Sequence, residues 1–98
     1  MFARLYSFEV RSDKLDETIK IWKEMDTPEM KSEKGYRGAY LLTDRKTGKG
    51  ISMTLWDSEE DAIANEKSGF VQKQVAKYYK DLLLAPPVRQ GYEISAQD

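Results

Sequence analysis

The sequence contains no histidine and no cysteine. Any chemistry it performs must therefore use carboxylates, lysine, arginine, tyrosine, tryptophan, amides, hydroxyls or the substrate itself. Residue type alone excludes a Ser-His-Asp relay, an imidazole base, an imidazole or thiolate metal site, and a histidine-held haem. Arg4 occupies the least ordinary position of any charged residue, because it interrupts the period-two series Phe2, Tyr6, Phe8, Val10. A guanidinium on an apolar strand face needs a carboxylate, a ligand anion or a route to solvent. The acidic groups Glu59-Glu60-Asp61 and Asp13, Asp16, Glu17 carry no comparable signal, since a helix N-terminus favours acids through its dipole. Lys31, Lys34, Lys46 and Lys49 read as solvated loop charge.

The alternation around Arg4 predicts a strand over residues 2–10. Ser12-Asp13 offers an N-cap, and Leu15, Ile19, Trp22 and Met25 follow at helical spacing, so a helix is expected over about 13–25. Pro28 should stop it, because proline lacks an amide and disfavours the helical region for the residue before it, and there is room for a short helical turn after Pro28. Extended segments over 35–43 and 51–56, joined by the polar, glycine-bearing stretch 44–50, read as an antiparallel hairpin. On the later strand Ile51, Met53 and Leu55 face one way and carry the bulk of the core, while Ser52, Thr54 and Trp56 face the other. Ser58 caps a second helix over about 58–67, and Ser68-Gly69 breaks it. Val71, Val75, Tyr78 and Leu82 form the stripe of a third helix ending near residue 84, before Pro86-Pro87. A fourth strand follows over 88–94, and residues 95–98 fray.

Ninety-eight residues suit one domain over residues 1–98, with 40% hydrophobic residues for a core and 34% charged residues for its surface. The net charge of -1 lacks the excess of positive charge expected of a general nucleic-acid binder. No run is long and apolar enough for a membrane span, and the first residues read as a strand instead of a signal peptide. The absence of cysteine fits a cytoplasmic setting.

Strand, helix, strand, strand, helices, strand is the split βαβ order of an α+β, ferredoxin-like sandwich with a four-stranded antiparallel sheet, its first and third strands central. Helices would cover only one face of that sheet. Tyr6, Phe8, Tyr40, Leu42, Trp56, Tyr92 and Ile94 put apolar groups on both faces, so a second copy of the chain is expected over the other, as a homodimer.

The segments Gly35-Tyr36-Arg37-Gly38-Ala39-Tyr40-Leu41-Leu42, Leu55-Trp56, Ser58-Glu59-Glu60-Asp61-Ala62 and Ser68-Gly69-Phe70 resemble the antibiotic biosynthesis monooxygenase domain of the dimeric α+β barrel superfamily. The resemblance implies two such sheets pairing as a dimeric barrel. It also implies oxidation of a small phenolic, aromatic or quinone-like substrate by molecular oxygen, with no cofactor and no metal. Under that reading the catalytic residues are Trp56, Asn65 and Arg4, with Arg37 a second cation able to face an oxyanion. Tyr6, Tyr36, Tyr40, Phe70 and Tyr78 would wall the substrate pocket. Each has a packing role open to it as well: Trp56 as a core or interface aromatic, Asn65 as a solvated helix residue. Relatives that degrade haem use an asparagine, a tryptophan and a histidine, and this chain carries Tyr6 or Ser7, Asn65 and Val75 near those positions, which disfavours that reaction. The competing class is a non-enzymatic dimer that holds a small apolar ligand or serves in an assembly. A cavity of about 300 Å³ or more with Arg or Tyr donors converging on it separates the two, favouring the enzyme.

Overall fold

In the computed structural model, which describes residues 1–79 and 81–98 and leaves the Tyr79 side chain aside, the alternating segments pair into one four-stranded antiparallel sheet. Its strands are β1 (Phe2–Glu9), β2 (Tyr36–Thr43), β3 (Lys49–Trp56) and β4 (Val88–Glu93), in the spatial order β2-β3-β1-β4. The first and third strands are central, as the crossover rule requires. Helices α1 (Leu15–Ile21) and α2 (Thr27–Met30) follow β1, and α3 (Glu59–Lys67) and α4 (Phe70–Tyr79) separate β3 from β4. The result is the expected ferredoxin-like α+β fold, with β2 and β4 as edges and the sheet of one chain not closed into a barrel.

Cross-strand register decides which residues face the helices. Phe2 stands opposite Trp56, Arg4 opposite Thr54 and Tyr6 opposite Ser52, so these six share a face. Under the helices Phe2, Trp56, Met30 and Ala62 form one buried cluster, with Tyr36 and Phe70 against it. Val10, Leu15, Tyr78 and Leu82 form a second, with Phe8, Ile19, Ile21 and Leu83. Arg4 and Tyr6 lie on β1 between the two clusters. This reverses the expected orientation of β3. Trp56, fully buried, removes more apolar surface from water than any neighbour on its strand, and it takes Ser52 and Thr54 inward with it. Ile51, Met53 and Leu55 are turned to the open face.

The first helix also differs from expectation. The helical path continues through Pro28 to Met30, because residues Trp22–Asp26 form a π-helical segment in which the Thr27 amide donates to the Trp22 carbonyl. Widening the turn re-routes hydrogen bonds just where proline would disrupt an α-helical ladder. It also advances the inward face by one residue. Met25, next in the Leu15, Ile19, Trp22 series, is 47% exposed, whereas Asp26 is 7% exposed. The stripe Val71, Val75, Tyr78 holds on α4. The expected continuation to residue 84 crosses residue 80, outside the described residues. Beyond it Asp81 and Leu82 turn, and Leu83 bridges back to Val10.

The hairpin between β2 and β3 closes through Asp44, whose carbonyl accepts from the Gly48 amide at 2.9 Å. Gly48 has φ +79°, and a Cβ there would stand 1.9 Å from the Val10 carbonyl oxygen. Gly48→Ala should therefore destabilise the fold by about 2 kcal/mol, read as a lower midpoint in urea unfolding; an unchanged midpoint would show that the loop moves away from Val10 freely.

Candidate functional site

Arg4 is 2% exposed. Its Nη1 donates to Asn65 Oδ1 at 2.9 Å, to the Ala62 carbonyl at 3.2 Å and to Glu66 Oε2 at 3.5 Å. The guanidinium also lies 4.8 Å from the centre of the Trp56 ring and 5.5 Å from that of Tyr6, so aromatic faces supply part of the stabilisation that water would give. Burial lowers its proton affinity, opposed by Tyr6 and Glu66, and an arginine in this setting remains a cation. Its Nε is buried and has no hydrogen-bond partner among the described residues.

Asn65 reaches Arg4 because α3 is fixed at both ends. The Ser58 hydroxyl accepts from the Asp61 amide at 3.2 Å at the N-terminus, and Ser68 donates to the Asn65 carbonyl at 2.7 Å near the other end. Asn65 Nδ2 in turn donates to Glu33 Oε1 at 2.6 Å. Glu66 holds a second cation, accepting from Arg89 Nε at 2.9 Å and Nη2 at 3.2 Å. Glu66 thus bridges two arginines, and Glu33 joins the same network through the Asn65 amide.

Arg4 and Tyr6 form one wall of a partly open cavity of about 90 Å³ between sheet and helices, which Thr18, Trp22, Asp26, Val75 and Tyr78 also line. Trp22 donates to Ser52 Oγ at 3.1 Å, so the hydroxyl that β3 turns inward anchors the indole. Burial raises the Tyr6 hydroxyl above its usual range. On the helix side the Tyr78 hydroxyl donates to Asp26 Oδ2. Burial pushes the Asp26 carboxyl upward, against the pull of Tyr78 and Lys77, and burial and Asp26 together push the Tyr78 hydroxyl far upward. The cavity thus joins a cation, a desolvated carboxylate and two phenols within a mainly apolar lining.

Of the residues singled out in the sequence, Arg4, Tyr6 and Tyr78 line this cavity. Asn65 and Trp56 stand behind Arg4 instead: Asn65 is 5% exposed, not the solvated residue its neighbours suggested, and Trp56 donates to Thr54 Oγ1 at 2.8 Å from within the core. Tyr36 meets Trp56 edge to face, with ring centres 6.0 Å apart, and Phe70 packs on the same cluster. Neither lines the cavity. Tyr40 is not brought to the site, because it pairs with Met53 on the opposite face and is 60% exposed. Arg37 is paired with Asp57 at the surface, Nε to Oδ1 2.5 Å. Asp26 was not singled out. Its place beside Pro28 reads as a helix stop, and only the π turn brings it inward. Among the described residues no three acidic side chains cluster so as to hold a metal ion, and no helix is long and apolar enough to cross a membrane.

Residues 1–77 match the family model for antibiotic biosynthesis monooxygenases. Comparison with curated proteins gives no match. Among solved structures, the chain is similar to the haem degrader MhuD of Mycobacterium tuberculosis, determined with two haems in its active site, at TM-score 0.81 and 14% identity over 100% of this chain and 99% of that one. It is also similar to the monooxygenase ActVA-Orf6 of Streptomyces coelicolor, determined with nanaomycin D, at TM-score 0.77 and 13% identity over 99% and 89%. Rv0793 of Mycobacterium tuberculosis gives TM-score 0.72 and 19% identity over 98% and 96%. At these identities the likeness is one of fold.

Asn65→Ala strips Arg4 of its shortest acceptor and Glu33 of its donor. A loss of about 2 kcal/mol is expected, measured as a lower melting temperature; wild-type stability would mean that the Ala62 carbonyl and Glu66 suffice for Arg4.

Proposed function

The chain belongs to the antibiotic biosynthesis monooxygenase family, and on that premise we propose that it oxidises a small phenolic or quinone-forming aromatic with molecular oxygen. No cofactor is needed for such a reaction if the ionised substrate supplies its own electrons. For a phenol the balance is complete: the ring gains one oxygen atom as a carbonyl, its C–H and O–H hydrogens leave with the other oxygen as water, and a quinone results. The protein has to bind a flat ring, stabilise negative charge on its oxygen and limit water. The observation that carries this reading is the buried Arg4 guanidinium on the cavity wall, with a donor atom that no described residue satisfies. A substrate oxyanion is a partner of the right charge.

A second reading, a non-enzymatic ligand-binding or interaction module, draws support from the cavity's size. About 90 Å³ falls short of the roughly 300 to 1,000 Å³ usual for small-molecule sites. The enzyme reading accordingly takes a single ring inside, with any further rings at the open mouth. Haem is a poor match to this chain, which has no histidine and carries Val75 on the cavity wall.

Both readings include a second copy of the chain. Tyr40, Leu42, Val88 and Tyr92, each about half exposed or more, share the face opposite the helices, next to Ile51, Met53 and Leu55. A self-complementary contact through this face covers them all at once, and two-fold pairs are the commonest oligomer.

A panel of single-ring phenols under ¹⁸O₂ should give a product with one labelled oxygen and two fewer hydrogens. Arg4→Met should lower kcat/KM by about a hundredfold. Binding without oxygen uptake would leave the module reading in place. Native mass spectrometry should report a dimer for the wild type and a monomer for Leu42→Glu, and a monomeric wild type would overturn the pairing.

A further inference from the structure

Asp26 combines two properties that a merely structural residue has no need to combine. It is a carboxylate taken almost wholly out of water, and it borders the cavity that holds Arg4. If its task were only to accept the Tyr78 hydrogen bond, a neutral asparagine would serve equally well, with no charge to desolvate. Its surroundings also keep it ionisable. Lys77 Nζ lies 3.4 Å from Asp26 Oδ1 and 2.5 Å from Glu29 Oε1, so the cation beside the carboxylate is shared with a half-exposed acid. The Gln74 amide donates to the Asp26 carbonyl at 3.2 Å and fixes the backbone.

Resting on the reading of the cavity as a phenol site, we propose that the Asp26 carboxylate accepts the proton of the substrate hydroxyl, with Tyr78 and Lys77 as positioning residues. In that step the substrate O–H bond breaks, its proton passes to an Asp26 carboxyl oxygen, and the bonding electron pair stays on the substrate oxygen. Negative charge thereby moves from the helix side of the cavity towards the Arg4 side. The charged and titratable groups facing the transfer are Lys77 and Tyr78 on α4, Glu29 on α2, and Arg4 and Tyr6 on β1. Burial already raises the proton affinity of Asp26, which suits a group that must take up a proton from a weak acid. The widened turn over Trp22–Asp26 is what presents this residue to the cavity in place of Met25, in keeping with the frequency of such turns at functional sites.

A test independent of turnover follows from charge. A phenolate and an ionised carboxylate cannot readily share one small apolar cavity, since like charges in a poorly solvated site suppress each other's ionisation. Binding 4-nitrophenol at a pH where it is already phenolate should therefore draw about one proton per molecule from the buffer onto Asp26. Calorimetry in two buffers of different ionisation enthalpy reads that uptake directly. Asp26→Asn keeps the acceptor for Tyr78 and the shape of the side chain. It should bind the phenolate with no proton uptake, while Lys77→Arg should behave as the wild type does. Circular dichroism and melting curves confirm that the Asn variant is folded; if it is not, the same uptake is read in the wild type from the carboxyl ¹³C shift of Asp26, which should move to its protonated value on binding. Phenolate binding without proton uptake in the wild type, or with equal uptake in Asp26→Asn, would overturn the role of Asp26 alone. No binding of 4-nitrophenolate to the wild type would overturn the phenol reading of the cavity and this proposal with it.

Discussion

A guanidinium withdrawn from water at the centre of a sheet is the constraint on which the rest of this structure depends. Burying an unpaired charge costs several kcal/mol, a large fraction of a domain's whole stability, so Arg4 requires partners in fixed places. Asn65, the Ala62 carbonyl and Glu66 all come from α3, and Trp56 and Tyr6 place ring faces beside the cation. Those contacts fix the position of α3 over β1 and β3. They also explain why Asn65 is buried on a helix whose apolar residues, Ala62, Ile63 and Ala64, are consecutive and mark no stripe: its amide links the Arg4 guanidinium to Glu33, which lies 32 residues from Asn65 in the chain.

Around that cation the apolar residues divide into two clusters, and the division leaves the cavity. The Trp56 cluster closes one end of the sheet and the Leu15–Tyr78–Leu82 cluster closes the other. Between them the inward side chains of β3 are Ser52 and Thr54, too small to fill the gap and each engaged by an indole N–H. The space is lined mostly by carbon but bounded by Arg4 on the sheet side and by Asp26 with Tyr78 on the helix side. Opposite charge across a poorly solvated gap makes a directional field, which is the arrangement a charge-separating reaction requires and a simple apolar core does not.

The orientation of β3 links this cavity to the other face of the sheet. Turning Trp56 and the two hydroxyl side chains inward necessarily turns Ile51, Met53 and Leu55 outward, because alternate residues of a strand point to opposite faces. Beside them Tyr40, Leu42, Val88 and Tyr92 enlarge the apolar surface on the same side. The cavity and the apolar outer face are two consequences of a single choice of strand orientation.

The sequence determined the order of the elements, the split βαβ topology, the Ser58 cap and the Val71, Val75, Tyr78 stripe, all of which rest on local periodicity, capping and chirality. It also singled out Arg4, since one charge in a period-two apolar series is visible without coordinates. Tertiary structure alone decided the orientation of β3, whose alternation is equally regular either way round until Trp56 has a pocket to enter. It separated Tyr40 from the site, because a strand's pattern does not say which face lies under helices. It also brought in Asp26: an α-helical period points to Met25, and the extra residue of a π turn ahead of Pro28 moves the inward position by one. Local preferences are read within a few neighbouring residues, whereas these three outcomes depend on which distant surfaces compete for the same buried space.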